Sequence, residues 1–477
     1  MNKIKALMVA VAALALTSCD SWLDVNTDPN YPSTIPTIMP ITSGIGSAAT
    51  VIGGQYAILG GLWGQHYTQN NTANQYKTWD SYNINSKFMN AEYLKLYAFS
   101  LTDFKKAGER SAAEGNWNYY LMATVMDAYI FQVLVDLYGT VPYFEACKAD
   151  QGIVTPKFDS GEVIYADLLA RLSDALSKDF SAPTCANPGK NDLVFGGDMD
   201  HWKEFANTLK LKIAIRQFNV KKESSTKIIN ELLDSKVKFL STNASVTAYK
   251  DAPGNYNPLF DSDVFGLGNA NLRASNTTLK FILSNNDPRL PYMYEKGSKK
   301  DYEGLDQGDY TVSAANQPAG TLSKVKIKAD DPVVFMSQAE SAFLQAEALL
   351  KCKAGVGTKE KYEEGVRLAF ARYEIEEDKV NDLLQTGAAY AYEEANALKL
   401  IITQKWLSCF LSQGLEAFFE FNRTGFPSEF TVPKNSVLVN KTSFIQRLPF
   451  PEYELTSNKG NIPAEVNLDV PLWWAVK

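Results

Sequence analysis

Residues 398–427 read LKLIITQKWLSCFLSQGLEAFFEFNRTGFP, and this stretch decides the fold. Leu400, Trp406, Leu407, Phe410 and Leu411 recur at helical spacing, which predicts an apolar stripe on an amphipathic helix over 400–413. Gly414 reads as its stop, because glycine enters a left-handed cap at little steric cost. A second, shorter helix is expected over 416–421, ended by Gly425 and Pro427. Two short helices with aromatic inner faces cannot bury that surface alone. The rest of the chain is therefore expected to stack on them.

Further helix pairs appear on working outward. Residues 337–351 and 359–374 flank Gly355 and Gly357, and residues 202–218 and 225–233 form another pair. Residues 87–113 and 117–138 are joined at Gly115, and 161–178 carries Ile164, Leu168, Leu172 and Ala175 on one side. Residues 43–69 are rich in glycine and alanine but helical in pattern, with Ile52, Tyr56, Leu59 and Trp63 in step. The most apolar run, 118–137, is interrupted by Asp127, Gln132 and Asp136, so it reads as a buried helix and not as a membrane span. Ala346, Ala348 and Tyr362 are similar to the packing positions of tetratricopeptide units, although no fixed period of about 34 residues repeats. Residues 244–334 change character: Gly, Asn, Asp and Pro cluster and helical periodicity fades. Such long irregular segments are functional or disordered, and aromatics from Tyr256 to Tyr310 argue for order.

The composition narrows the function. The chain has 477 residues, 45% hydrophobic and 12% aromatic, enough for a large core. A formal charge of −7 and the lack of a Lys/Arg cluster argue against a nucleic-acid partner. His66 and His201 are the only histidines, too few for a metal site built on histidine clusters, and no metal or cofactor is expected. Beyond the first, Cys147, Cys185, Cys352 and Cys409 are scattered, which reads as buried thiols more than as a disulfide framework, with one pairing left open. The opening MNKIKALMVAVAALALTSCD has a basic start at Lys3 and Lys5 and a short apolar core over 6–16. Leu16-Thr17-Ser18-Cys19 fits a bacterial lipobox, so residues 1–18 are expected to be a signal peptide and Cys19 the lipid-attachment residue. The alternative is an ordinary leader with an incidental cysteine. Residues 19–42, rich in Pro, Thr and Asn, read as a tether, and 43–477 as one large domain.

Several motifs now line up in order. They are LDVNTDPN (23–30), DLYGTVPYFEA (136–146), WKEFANTLKLKIAIR (202–216), NDPRL (286–290) and DPVVFMSQAESAFLQAEA (331–348). ITQKW and GLEAFFEFNRTGFP follow within the opening stretch, then RLPFPEYELTSN (447–458) and PLWW (471–474). Together the sequence resembles the SusD/RagB family of outer-membrane nutrient-binding lipoproteins over nearly its whole length. The resemblance implies a mostly α fold of tetratricopeptide-like stacked helix pairs, with the irregular insertion forming a ligand-binding face. It implies a non-catalytic protein held at the outer membrane of Bacteroidetes, exposed at the cell surface, that binds oligosaccharide and delivers it to a SusC-like TonB-dependent transporter. The family also contains members thought to bind peptides.

The residues themselves offer little catalysis. No GxSxG, GxxxxGK[ST] or HExxH occurs. Glu416 and Glu420 lie four apart and read as a solvated face or as partners of Arg423, while Glu340 and Glu347 read as structural. An all-helical glycan-degrading enzyme remains the catalytic alternative, and a purely structural helical scaffold a third reading. Asp301, Asp306 and Asp309 lack EF-hand spacing and read as a solvated loop. Sugar rings stack their C–H faces on aromatic rings and need amide or carboxylate partners for their hydroxyls. The segment NNTANQYKTWDSYNI (70–84) offers both, and Trp79, Tyr82, Asn83, Gln75 and Asn71 are its candidate ligand-binding residues. The resemblance, which draws the aromatic platform from this segment and the insertion, adds Tyr256, Phe260 and Tyr310.

Overall fold

A computed structural model describes residues 35–477. The expected signal peptide, Cys19 and most of the expected tether lie outside the described residues. The first helix already begins at Ile38, inside the span read as tether.

Helices α1 (Ile38–Ile52) and α2 (Gln55–Trp63) break at Gly53–Gly54, so the run expected as one helix is two, followed by strand β1 (Tyr67–Gln69). A Cβ at Gly53 would sit 2.2 Å from the Val333 side chain, so the break lets strand and helix close up. Helices α3 (Thr102–Glu114) and α4 (Trp117–Tyr138) turn at Gly115, and the Asn116 side chain accepts the Tyr119 N–H to cap α4. A hairpin of β2 (Thr140–Pro142) and β3 (Phe158–Ser160) leads into α5 (Gly161–Leu176). Then come α6 (Met199–Arg216), capped by Asp198, and α7 (Lys222–Asp234). The irregular segment holds β4 (Ala244–Val246), β5 (Leu272–Ala274) and α8 (Asn276–Ser284), and ends at β6 (Val333–Met336). Its ends are tied by the antiparallel β4–β6 pair and its middle by β1–β5. The last pairs are α9 (Gln338–Cys352) with α10 (Thr358–Ala371), and α11 (Ala397–Ser408) with α12 (Gly414–Thr424). The architecture is mostly α, of stacked helix pairs, as the spacing predicts.

Helix α4 and the stretch Ile38–Trp63 are long and apolar enough to cross a membrane, but both lie buried inside the protein. The four cysteines among the described residues are free thiols, and only Cys409 is fully buried.

The opening stretch departs from expectation in two ways. Leu411, not Gly414, takes the positive φ (71°) in the turn, and Gly414 starts α12. Glycine is needed there for close approach: a Cβ on Gly414 would lie 2.4 Å from the Gly60 carbonyl carbon, and one on Gly60 2.2 Å from the Leu415 nitrogen. Moreover α11 has no solvated face from Ile401 onward, for Gln404 and Lys405 are as buried as Trp406.

Lys405 marks the reason. Lys212 on α6 bridges Glu340 (3.0 Å) and Glu416 (2.8 Å). Arg216 reaches Asp136 (3.1 Å), Glu416 (2.7 Å) and Glu420 (2.5 Å). Lys405 meets Glu416 at 2.7 Å, and Arg423 grips Glu347 through two bonds of 2.7 Å while also pairing with Glu420. Tyr165 and Gln132 donate to Asp136, and Gln413 to Glu340. Trp474 and Phe419 cover the Arg216 guanidinium at 5.2 and 5.5 Å. Glu416 and Glu420 are therefore buried ion-pair partners: the solvated face fails as an expectation, and the expected pairing with Arg423 holds for Glu420 but not for Glu416. Removing one member of such a cluster strands its partners in low dielectric. Arg216→Met is expected to cost about 3–5 kcal/mol, while Lys361→Met, at an exposed pair with Glu364, costs less than about 0.5 kcal/mol; urea unfolding of both variants checks this.

Candidate functional site

The site grows from one end of the β1–β5 ladder. Tyr67 pairs with Ala274 and Gln69 with Leu272, so segment 70–84 and the turn before β5 emerge side by side. The Asn70 N–H donates to the Asn271 carbonyl at 2.9 Å. Segment 70–84 is then closed on itself. Gln69 accepts the Tyr76 N–H (2.7 Å) and donates to the Asn70 carbonyl (2.9 Å).

Asp80 is the clasp. Its carboxylate accepts the Thr68 hydroxyl (2.5 Å), the Gln69 N–H (3.0 Å) and the Gln307 amide (2.5 Å). Gln307 belongs to the insertion, and its loop is held by Lys434 N–H to the Gln307 carbonyl and Asn435 to the Gly308 carbonyl. Segments 70–84, 305–317 and 431–437 thus converge. Asn71 is part of this frame: it is buried and donates to the carbonyls of Val312 (3.1 Å) and Gln317 (2.9 Å).

The aromatic candidates separate on inspection. Tyr82 is 3% exposed, has a positive φ of 61° and packs edge-on against Trp63 at 6.1 Å. It offers no ring face to a ligand, which corrects its place among the expected platform residues. Trp79 is half-buried, braced edge-on by Tyr76 (5.1 Å) and Phe88 (5.0 Å). Gln75 and Asn83 are exposed beside it. Tyr310 is half-buried, with the Lys77 ammonium 5.3 Å above its ring.

Tyr256 and Phe260 do come together, 5.1 Å apart, and Phe265 joins them at 4.9 Å from Tyr256. Phe265 is 54% exposed and was not among the expected site residues. Residues Phe260–Phe265 form a π-helical turn, which sets positions five apart on one side, a spacing that a 3.6-residue reading overlooks. Buried Asp263 holds the turn by accepting the N–H groups of Asn271 (3.1 Å) and Leu272 (3.4 Å).

Next to the Gln307 loop lies a groove of about 870 Å³. Asn276, Lys280 and Asn285 of the α8 region line it, facing Asp306, Glu429 and Lys434. Asn276 donates to Asp306 at 2.7 Å, and Lys280 and Lys434 each sit 3.7 Å from it. Most of these polar residues come from separated segments without a motif, so sequence reading did not single them out as ligand partners. The groove can hold a polar chain through amide and charged partners.

Glu416 and Glu420, the carboxylates four apart on α12, do not suit general acid catalysis. Burial alone would raise the Glu416 carboxyl, but Arg216, Lys212 and Lys405 overcome it and hold the group at about 2. Glu420 is likewise lowered against its burial by Arg423, Lys405 and Arg216. A general acid near neutral pH needs the opposite shift and an open path to substrate.

Asp80 shifts the other way. Burial raises it to about 6, against hydrogen bonds from Gln69, Thr68, Gln307 and Gly308. The native state then binds the proton more tightly than the unfolded chain, so this group's contribution falls as pH rises from about 4 through 6. Asp80→Asn removes that dependence. The stability gap between wild type and variant is expected to move by up to about 3 kcal/mol in the variant's favour between pH 4 and 7. Urea unfolding at both pH values checks it; a constant gap contradicts the raised carboxyl.

The family model described as starch-binding, associating with the outer membrane, matches residues 45–451. The chain belongs to the SusD-like family. This SusD-like chain is similar to a solved SusD-like protein from Bacteroides thetaiotaomicron, at 24% identity and a TM-score of 0.76, covering 93% of this chain and 99% of that one. It is similar to a SusD homologue from Bacteroides uniformis at 22% identity, TM-score 0.76, covering 92% and 100%. A chitin-binding SusD homologue from Flavobacterium johnsoniae matches at 18% identity, TM-score 0.73, covering 91% and 98%. No curated protein matches.

Proposed function

We propose that this SusD-like protein captures oligosaccharide without cleaving it and passes it to a SusC-like TonB-dependent transporter, from a lipid anchor on Cys19 at the outer-membrane surface. The observation that carries the reading is the ring set of half-buried Tyr256 and Phe260 with exposed Phe265, together with half-buried Trp79, at one end of the β1–β5 ladder. It lies outside the helix scaffold, near a groove rich in amides and charges. Rings supply faces for sugar C–H groups, and Gln75, Asn83 and the groove supply hydroxyl partners. Tyr310 is kept in the proposed site, whereas Asn71 acts by holding the loop frame. The family description and the chitin-binding homologue support the ligand class. The lowered, buried carboxyls of Glu416 and Glu420 support the absence of catalysis by that pair.

Residues 20–477 are titrated calorimetrically with oligosaccharides derived from starch and chitin, and each mixture is analysed for cleavage. Binding of intact ligand is expected, weakened about five- to ten-fold in Phe265→Ala and in Trp79→Ala. Cleavage products, or equal binding by both variants, contradict the proposal.

A further inference from the structure

We propose that the helix scaffold carries a second sugar site, an open cavity of about 390 Å³ lined by α3, α4, α5 and the turn after β2. None of the residues lining it belongs to segments 70–84, 255–271, 305–317 or 431–437. Its volume is in the range of small-molecule sites.

The polar groups of its wall are incompletely matched. Asp127 on α4 is 4% exposed. Its Oδ2 lies 2.7 Å from Arg171 Nη1 but receives no well-aligned hydrogen bond from any described residue. Arg171 Nη1 instead donates to the Tyr143 hydroxyl (2.9 Å), which donates to Asp167 (2.6 Å). The remaining Arg171 donors, Nε and Nη2, meet no acceptor among the described residues. A buried carboxylate oxygen, ion-paired but without a well-aligned donor, thus stands beside a half-buried guanidinium whose remaining donors are open to solvent. A ligand hydroxyl can complete the buried acceptor while its neighbour takes the place of water on the guanidinium.

The charge balance selects the ligand class. Lys105, Lys148 and Arg171 face Glu109, Asp127 and Asp167, so the lining is neutral overall. An ammonium would compete with Arg171 for Asp127, and an anion would meet Asp127 and Asp167. A neutral polyol suits both groups at once, for a hydroxyl donates to the carboxylate while its neighbour accepts from the guanidinium. The rings complete the match. Tyr143 stands edge-on to Phe131 (4.6 Å) and Phe144 (4.9 Å), and Phe144 is 43% exposed. This combination of ring faces with paired donors and acceptors points to one or two neutral sugar residues.

Gly108 permits a clean test. It lines the cavity on α3, and a Cβ there would meet only the Ala123 Cβ, at 3.8 Å. Gly108→Leu should fold and fill the space without touching the polar groups. The parent for the test is residues 20–477 carrying Trp79→Ala and Phe265→Ala, which isolates the cavity from the irregular face. Saturation-transfer NMR is recorded with glucose, maltose, N-acetylglucosamine and chitobiose, and with butylammonium and acetate as charged probes. At least one neutral sugar is expected to bind the parent and to weaken about ten-fold or more in Gly108→Leu and in Asp127→Asn. No sugar binding to the parent, equal binding after Gly108→Leu, or preference for a charged probe overturns the proposal. Unchanged binding on introducing Trp79→Ala and Phe265→Ala would instead count against the irregular face, so the two readings fail separately.

Discussion

The structure depends on a buried ionic cluster where α4, α6, α9, α11 and α12 meet. Asp136, Glu340, Glu347, Glu416 and Glu420 face Lys212, Arg216, Lys405, Arg423 and half-buried Lys351. Each charge is tolerated out of water only because its partners are in place. A helix shifted by one turn would strand at least one of them, so the cluster discriminates among helix arrangements that apolar packing alone would leave close in energy. The motifs that carry the family resemblance are largely the carriers of this cluster. DLYG supplies Asp136, LKLKIAIR supplies Lys212 and Arg216, and QAESAFLQAEA supplies Glu340 and Glu347. ITQKW supplies Lys405, GLEAFFEFNR supplies Glu416, Glu420 and Arg423, and the terminal PLWW lays Trp474 over Arg216.

A scaffold fixed in this way leaves its loops free to serve a ligand. The insertion is not stabilised by long helices. It hangs from the β4–β6 and β1–β5 pairs and from the Asp80–Gln307 clasp. Asp263 plays the same part for the aromatic turn that Asp80 plays for segment 70–84, each a buried carboxylate gathering backbone and side-chain donors. Rigid loops on a rigid base lower the entropy lost on binding, which suits shallow, ring-based recognition of a polar ligand.

Much of this was legible in the sequence, because apolar periodicity and capping residues are local signals. The helix pairs, the turn at Gly115 and the end at Gly425 follow from them. What escaped depends on partners far away in the chain. Glu416 and Glu420 at a four-residue spacing look the same on a solvated face as in a buried cluster, and only Arg216, some 200 positions earlier, decides. Gly414 looks like a helix stop, yet its lack of a side chain answers to Gly60. Tyr82 sits among polar neighbours, but a positive φ turns it onto Trp63. Phe265, which meets Tyr256, closes a π turn whose period helical pattern reading does not contain.

The central claim is that capture of the transported oligosaccharide belongs to the irregular loops, while the charge-locked helices α6, α9, α11 and α12 stay as they are. Hydrogen–deuterium exchange of residues 20–477, with and without a bound oligosaccharide, tests it most directly. The account predicts new protection in segments 70–84, 255–271, 305–317 and 431–437, with α6, α9, α11 and α12 slow to exchange in both states. Protection centred on those four helices, or a cluster that exchanges as fast as the loops in the free protein, would contradict it.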